Sequence, residues 1–135
     1  MSRFSPAQLS AAIKVRAACI TGDLDTLKEM VKQDHTIVQT PYEYGKTPLS
    51  IAASWGHDEL IQFLIDEGAD INHADEIGWV PLHWAAFTGN LDTCHLLINQ
   101  GADYMRENKA HQTPLDFEKA EKLRDEINKR SQGGE

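Results

Sequence analysis

Only two cysteines, Cys19 and Cys94, occur in the 135 residues. That is too few for a disulfide scaffold, and both lie inside apolar helical patterns, so they are expected to be reduced core thiols. No apolar run approaches the roughly 18–20 residues that a membrane-spanning helix needs. The opening Met1-Ser2-Arg3-Phe4-Ser5-Pro6 has none of the apolar stretch that a secretory leader carries. These absences lead to an expectation of a cytoplasmic or nuclear protein with no membrane contact. Positive charge is also in short supply: 13 Lys and Arg stand against 21 Asp and Glu, a net charge of −8. A surplus of that sign repels nucleic acid.

Chemistry-bearing patterns are missing as well. His57, His73, His83, His95 and Cys94 match no zinc-ligand spacing, and the adjacent Cys94 and His95 point different ways from one helix. There is no phosphate-cradling glycine loop, and nothing in the sequence pairs carboxylates across a pocket. No catalytic residue, metal or cofactor is expected, and the chain reads as a non-enzyme.

What is present is self-similarity. Gly45-Lys46-Thr47-Pro48-Leu49-Ser50-Ile51-Ala52-Ala53 returns as Gly78-Trp79-Val80-Pro81-Leu82-His83-Trp84-Ala85-Ala86, and again in part as His111-Gln112-Thr113-Pro114-Leu115-Asp116-Phe117. Pro48, Pro81 and Pro114 fall 33 residues apart, as do Gly56 and Gly89, and Gly68 and Gly101. A fixed period of this size marks stacked units, none of which can bury its apolar face alone. Each unit reads as turn, helix, helix. Thr47-Pro48 supplies an N-cap hydroxyl and a first-turn proline. Apolar runs at Leu60–Ile65 and Leu91–Ile98 follow the helical period, and Gly68 and Gly101 close those helices in a left-handed conformation.

This pattern of Gly-x-Thr-Pro-Leu-x-x-Ala-Ala, then an apolar helix and Gly-Ala-Asp-Ile-Asn, resembles the ankyrin repeat. The resemblance covers about residues 10–130. It implies an all-α solenoid of about four stacked helix-turn-helix units with hairpin turns, forming one domain over 1–135. Residues 5–44 are an N-terminal capping repeat, 45–77 and 78–110 complete repeats, and 111–131 a C-terminal capping repeat.

Departures from the pattern carry their own expectations. Val80 stands where a threonine would cap its helix, at a cost of about 1 kcal/mol. Asp58 occupies the position of Leu91, so one apolar contact is lost, and Glu118 sits at a small-residue position and makes the last unit irregular. In the first helix Leu9, Ala12, Ile13, Arg16, Ala17 and Ile20 follow the 3.6-residue period and are read as its stack-facing side. Near the other end Phe117, Ala120, Leu123 and Ile127 form the apolar stripe of a cap, and residues 131–135 are read as frayed. Trp84 is read as core. His83, at the usual histidine position of the repeat, is read as tying neighbouring turns together by hydrogen bonds. Asn72 resembles the hairpin asparagine that hydroxylases modify in animal ankyrin repeats, and a turn-forming role competes with that reading.

The resemblance also implies a non-enzymatic module that binds another protein through hairpin tips and the exposed face of the first helices. Carried over by position, that surface is Tyr44, Lys46, Trp55, Glu76, Ile77, Trp79, Phe87, Thr88 and Gln112, with Glu43, Ser54 and Lys109 beside them. Tyr and Trp are enriched among binding hot spots; the competing reading packs Trp55 or Phe87 against a neighbouring unit. Residues 41–110 hold 3 basic and 11 acidic side chains, which favours a partner with a basic surface. A monomeric adaptor or scaffold is expected. The alternatives are a stoichiometric inhibitor or assembly chaperone of an enzyme, and a module that covers its aromatic face by self-association.

Overall fold

The computed structural model describes residues 4–133. Seven α-helices follow in order: α1 (Pro6–Thr21), α2 (Leu24–Gln33), α3 (Pro48–Trp55), α4 (Asp58–Asp66), α5 (Pro81–Thr88), α6 (Leu91–Asn99) and α7 (Glu121–Gly133). No strand occurs among the described residues. Pairs α1–α2, α3–α4 and α5–α6 are helical hairpins, and α1, α3 and α5 pack side by side as the first helices of three successive units.

Local chemistry sets the helix ends. At α1 the Ser5 hydroxyl accepts from the Gln8 N–H at 3.2 Å, while the Gln8 side chain accepts from the Ser5 N–H at 2.8 Å. That reciprocal pair satisfies two donors the helix would otherwise leave orphaned. Thr47 caps α3 by accepting from the Ser50 N–H. Val80 has no oxygen to offer at the start of α5, but the N–H of Val80 donates to His83 Nδ1 at 3.1 Å. Half of the capping exchange therefore survives the loss of the hydroxyl, and Val80 is fully buried.

Packing joins the units into one apolar cluster. Val15, Ala18 and Cys19 of α1, Leu49, Ala52 and Ala53 of α3, and Leu82, Ala85 and Ala86 of α5 are all buried. Alanine pairs let these helix backbones approach closely. Behind them lie Leu27 and Val31 of α2, Leu60, Ile61 and Leu64 of α4, and Cys94 and Leu97 of α6. Each fully buried leucine or isoleucine contributes about 1.5–3 kcal/mol. The two thiols are pushed up to about 12 by burial, which removes the thiolate and its reactivity.

The expected stripe of α1 is real in period but meets the stack only in part: Ala12 and Ile20 are half-buried against the core. Val15, Ala18 and Cys19 meet the core, whereas Leu9 and Ile13 are exposed, Ile13 at 69%. Short side chains suit the tight junction with α2 and α3, and the longer ones are left on the open side. Asp58 does lose an apolar contact, and its carboxylate instead accepts from the Thr93 hydroxyl of the next unit at 2.5 Å. The final unit is irregular as expected: two short 3-10 turns, Pro114–Asp116 and Glu118–Ala120, precede α7. Phe117, Ala120 and Leu123 are buried there, and His95 ties α6 to Glu126 at 2.8 Å. Helix α7 continues to Gly133, so it includes the first three residues of the stretch expected to fray; residues 134–135 lie outside the described residues.

Between units the chain makes one turn three times over. Tyr42 N–H donates to the Lys46 carbonyl at 2.8 Å, Asp75 N–H to Trp79 at 2.9 Å, and Asn108 N–H to Gln112 at 2.9 Å. Successive turns are joined by Glu76 N–H to the Tyr44 carbonyl and Lys109 N–H to the Ile77 carbonyl. Gly78 sits at this junction with φ +80, and a Cβ added to it would lie 2.8 Å from the Lys109 nitrogen. Gly68 also has positive φ, +95, but a Cβ there would meet nothing within 4 Å. Both pay the left-handed penalty of about 1–2 kcal/mol when replaced by alanine, and only Gly78 adds a backbone clash. Chemical denaturation should therefore show Gly78→Ala about 2 kcal/mol less stable than Gly68→Ala; equal losses would mean that the turns are not held in contact.

Candidate functional site

A long groove of about 860 Å³ runs between α1, α3 and the first turn. One wall is the outward stripe of α1: Leu9, Ala12, Ile13, Arg16, Ala17 and Ile20. Positions i, i+3, i+4 and i+7 share a helix face, which is why Ile13, Arg16, Ala17 and Ile20 converge on it. Ile51, Ser54 and Trp55 of α3 form the floor, and Tyr42, Glu43, Tyr44 and Lys46 the opposite rim. Trp55 is 57% exposed and Tyr44 65%. Tyr44 is also held at φ +59, a left-handed conformation unusual for a side chain of its size.

At the other end of the same face the rings collapse onto each other. Trp79 lies 4.4 Å from Trp84, 4.9 Å from Phe117 and 5.2 Å from Phe87, centroid to centroid. Trp84 is only half-buried, which corrects its assignment to the core. Its indole N–H donates to Asp75 Oδ2 at 2.9 Å, and the Lys46 ammonium rests 4.2 Å from its ring. An indole placed where the neighbouring unit has Ile51 is too large for the interior and keeps its polar edge on a carboxylate. Beyond it, Phe87, Thr88, Phe117, Glu118 and Lys119 line a smaller hollow of about 260 Å³.

Under these rings lies a polar frame. The buried Asp75 carboxylate accepts from the N–H groups of Ile77 and Trp79 through Oδ1. Asn108 repeats that geometry one unit later, accepting from Ala110 and Gln112. His83 joins the two units: its Nδ1 accepts from Val80, so the proton sits on Nε2 and is donated to the Gln112 carbonyl at 2.9 Å. Asn72 also serves a turn, its side-chain oxygen accepting from the Asp103 N–H at 3.2 Å.

The residues assigned by position thus fall into three groups. Tyr44, Lys46 and Trp55 line the groove, with Phe87 and Thr88 at the second hollow. Glu76 and Ile77 are exposed at a turn tip. Trp79 and Gln112 are committed inward, the first to the ring cluster and the second to His83 and Asn108. Sequence reasoning missed Leu9 and Ile13 as groove residues because an apolar helical stripe reads the same whether it faces a neighbour or a trough. The acidic surplus is also placed elsewhere. Of the carboxylates in 41–110, Asp58, Glu59, Asp66 and Asp92 lie on α4 and α6, and Glu67, Asp70 and Asp103 in the turns that follow them. Among the described carboxylates Glu43 alone lines the large groove. Among the described residues no group of three or more His, Cys, Asp or Glu could hold a metal, and no helix is long and apolar enough to cross a membrane.

A family model described as "Ankyrin repeats (3 copies)" matches residues 15–108. Among curated proteins, human "DNA-binding protein RFXANK" is 37% identical over 65 residues, 48% of this chain and 25% of the relative. Mouse "Ankyrin repeat, SAM and basic leucine zipper domain-containing protein 1" is 41% identical over 54 residues, 40% of this chain and 11% of the relative. "Alpha-latrotoxin-Lt1a" of Latrodectus tredecimguttatus is 39% identical over 49 residues, 36% of this chain and 4% of the relative. The matched region is thus a quarter or less of each of these relatives.

Burial holds His83 below the usual imidazole range. A protonated ring would point a second N–H at the N–H of Val80. The unfolded chain, with a pKa of about 6.5, therefore binds this proton more readily than the folded one, and stability falls as pH drops below about 6.5. The melting temperature should drop more between pH 7.5 and 5.5 in the wild type than in His83→Asn; the other five histidines are common to both proteins, so identical drops would refute the role given to His83.

Proposed function

The chain belongs to the ankyrin-repeat family, and from that premise we propose that it is an adaptor whose groove between α1, α3 and the first turn receives a segment of another protein. Ankyrin repeats generally mediate protein–protein interaction and are typically non-enzymatic. The observation that carries the finer reading is the groove itself. Apolar and aromatic side chains that a free-standing fold would bury are lined up there in the open. Apolar surface kept exposed in one contiguous patch is the usual mark of a partner site. Buried, unreactive thiols are compatible with a reducing compartment, and cytoplasm or nucleus remains our reading.

Trp55 and Ile13 are the anchors to remove, because neither supports the core. Trp79 is not a clean probe: its truncation opens the ring cluster and should cost about 3 kcal/mol of stability. Trp55→Ala/Ile13→Ala should keep the helical circular dichroism and denaturation midpoint of the wild type. As bait in an extract of the cells that make the protein, it should lose a partner that the wild type retains. Retention of the same proteins by both baits would move the binding face elsewhere. Addition of the wild type to an isolated partner enzyme separates an adaptor, which leaves activity unchanged, from a stoichiometric inhibitor.

A further inference from the structure

The groove is apolar, but its charge is not neutral. Arg16 and Lys46 line it on opposite walls, against the single carboxylate Glu43. The chain has 21 carboxylate side chains to offer. Yet among the described residues every ion pair within 4.0 Å is made by a histidine: His35 with Glu67, His95 with Glu126 and His111 with Glu107. Arg16 and Lys46 thus have no carboxylate partner, and the Lys46 ammonium rests on the face of Trp84 instead. We infer that the groove takes a protein segment that sets a carboxylate against Arg16 and Lys46 while its large apolar side chains fill the space between Ile13, Tyr44 and Trp55.

The selection follows from desolvation. A ligand that fills the trough strips water from both cations, which is costly unless it supplies an opposite charge. A guanidinium offers a carboxylate two parallel donors, so Arg16 can make the stronger of the two bonds. A segment carrying Lys or Arg would instead place like charges together in a drying site. The net charge of the whole chain favours a basic partner at long range, but of the described carboxylates only Glu43 lines the groove. Close range therefore decides, and it favours acid.

This inference rests on the groove being the binding face, and one experiment separates the two. A displayed library of random twelve-residue peptides is selected on the wild type, and the enriched peptides are measured against Trp55→Ala and against Arg16→Glu/Lys46→Glu. Both variants are first checked for wild-type circular dichroism. Enriched peptides should combine large apolar residues with Asp or Glu. They should lose at least about tenfold in affinity to either variant, and replacing their acids by Lys should restore binding to the charge-reversed one. Loss to Trp55→Ala without loss to the charge-reversed variant overturns the carboxylate and leaves the groove. Undiminished binding to Trp55→Ala overturns both. Absence of enrichment, or a dimer in sedimentation that Ile13→Asp abolishes, overturns a foreign segment as the occupant.

Discussion

The contact on which the rest depends is between the alanine faces of α3 and α5. Ala52, Ala53, Ala85 and Ala86 are buried to 1% exposure or less, and among the described residues no other helix pair is in such extensive contact. A methyl group is the largest side chain that permits such an approach. Close first helices bring successive turns into register, and the register lets one turn's N–H reach the carbonyl of the turn before it. Asp75 and Asn108 then fasten the second and third turns internally, and His83 ties the start of α5 to the third turn. Stability in such an assembly is close to a sum of unit and junction terms. A change at one alanine would therefore be felt at the turns as well as in the core.

The same geometry makes the groove. First helices packed edge to edge must turn some side chains away from the junction, and those side chains face the rims made by the turns. At α5 the outward positions are filled by rings that satisfy one another, with Trp79 at the centre. At α1 and α3 they are Ile13 and Trp55, which have no such companions. One continuous face is thus closed at one end and open at the other. That asymmetry comes from which residues carry rings, since the backbone repeats.

Period and spacing made the stack legible. Three prolines at a constant step, the alanine pairs and the closing glycines each report a local constraint that survives into the structure. What periodicity could not supply was direction. The stripe from Leu9 to Ile20 was visible as a helical face, but a helix between two neighbours and a trough has more than one apolar side. The small Val15, Ala18 and Cys19 turned out to hold the junction. Trp84 was misread for a related reason: its position is interior when the residue is small, and an indole there is displaced outward onto Asp75 and Lys46. Net charge is a sum without a location, and the carboxylates lie mostly outside the groove. The hydrogen bonds of His83 were readable because they serve the backbone and depend little on what surrounds them.

His111 occupies the position that Gly78 holds one unit earlier, and it keeps the same left-handed backbone, with φ +62. At Gly78 a Cβ would strike the next turn's nitrogen. His111 carries that Cβ. Any further turn laid on the last one, whether from a neighbouring molecule or from a unit added by duplication, would meet it at the point where the backbones must touch. In the register that joins the earlier turns, an added turn would have to shift to make room for that side chain.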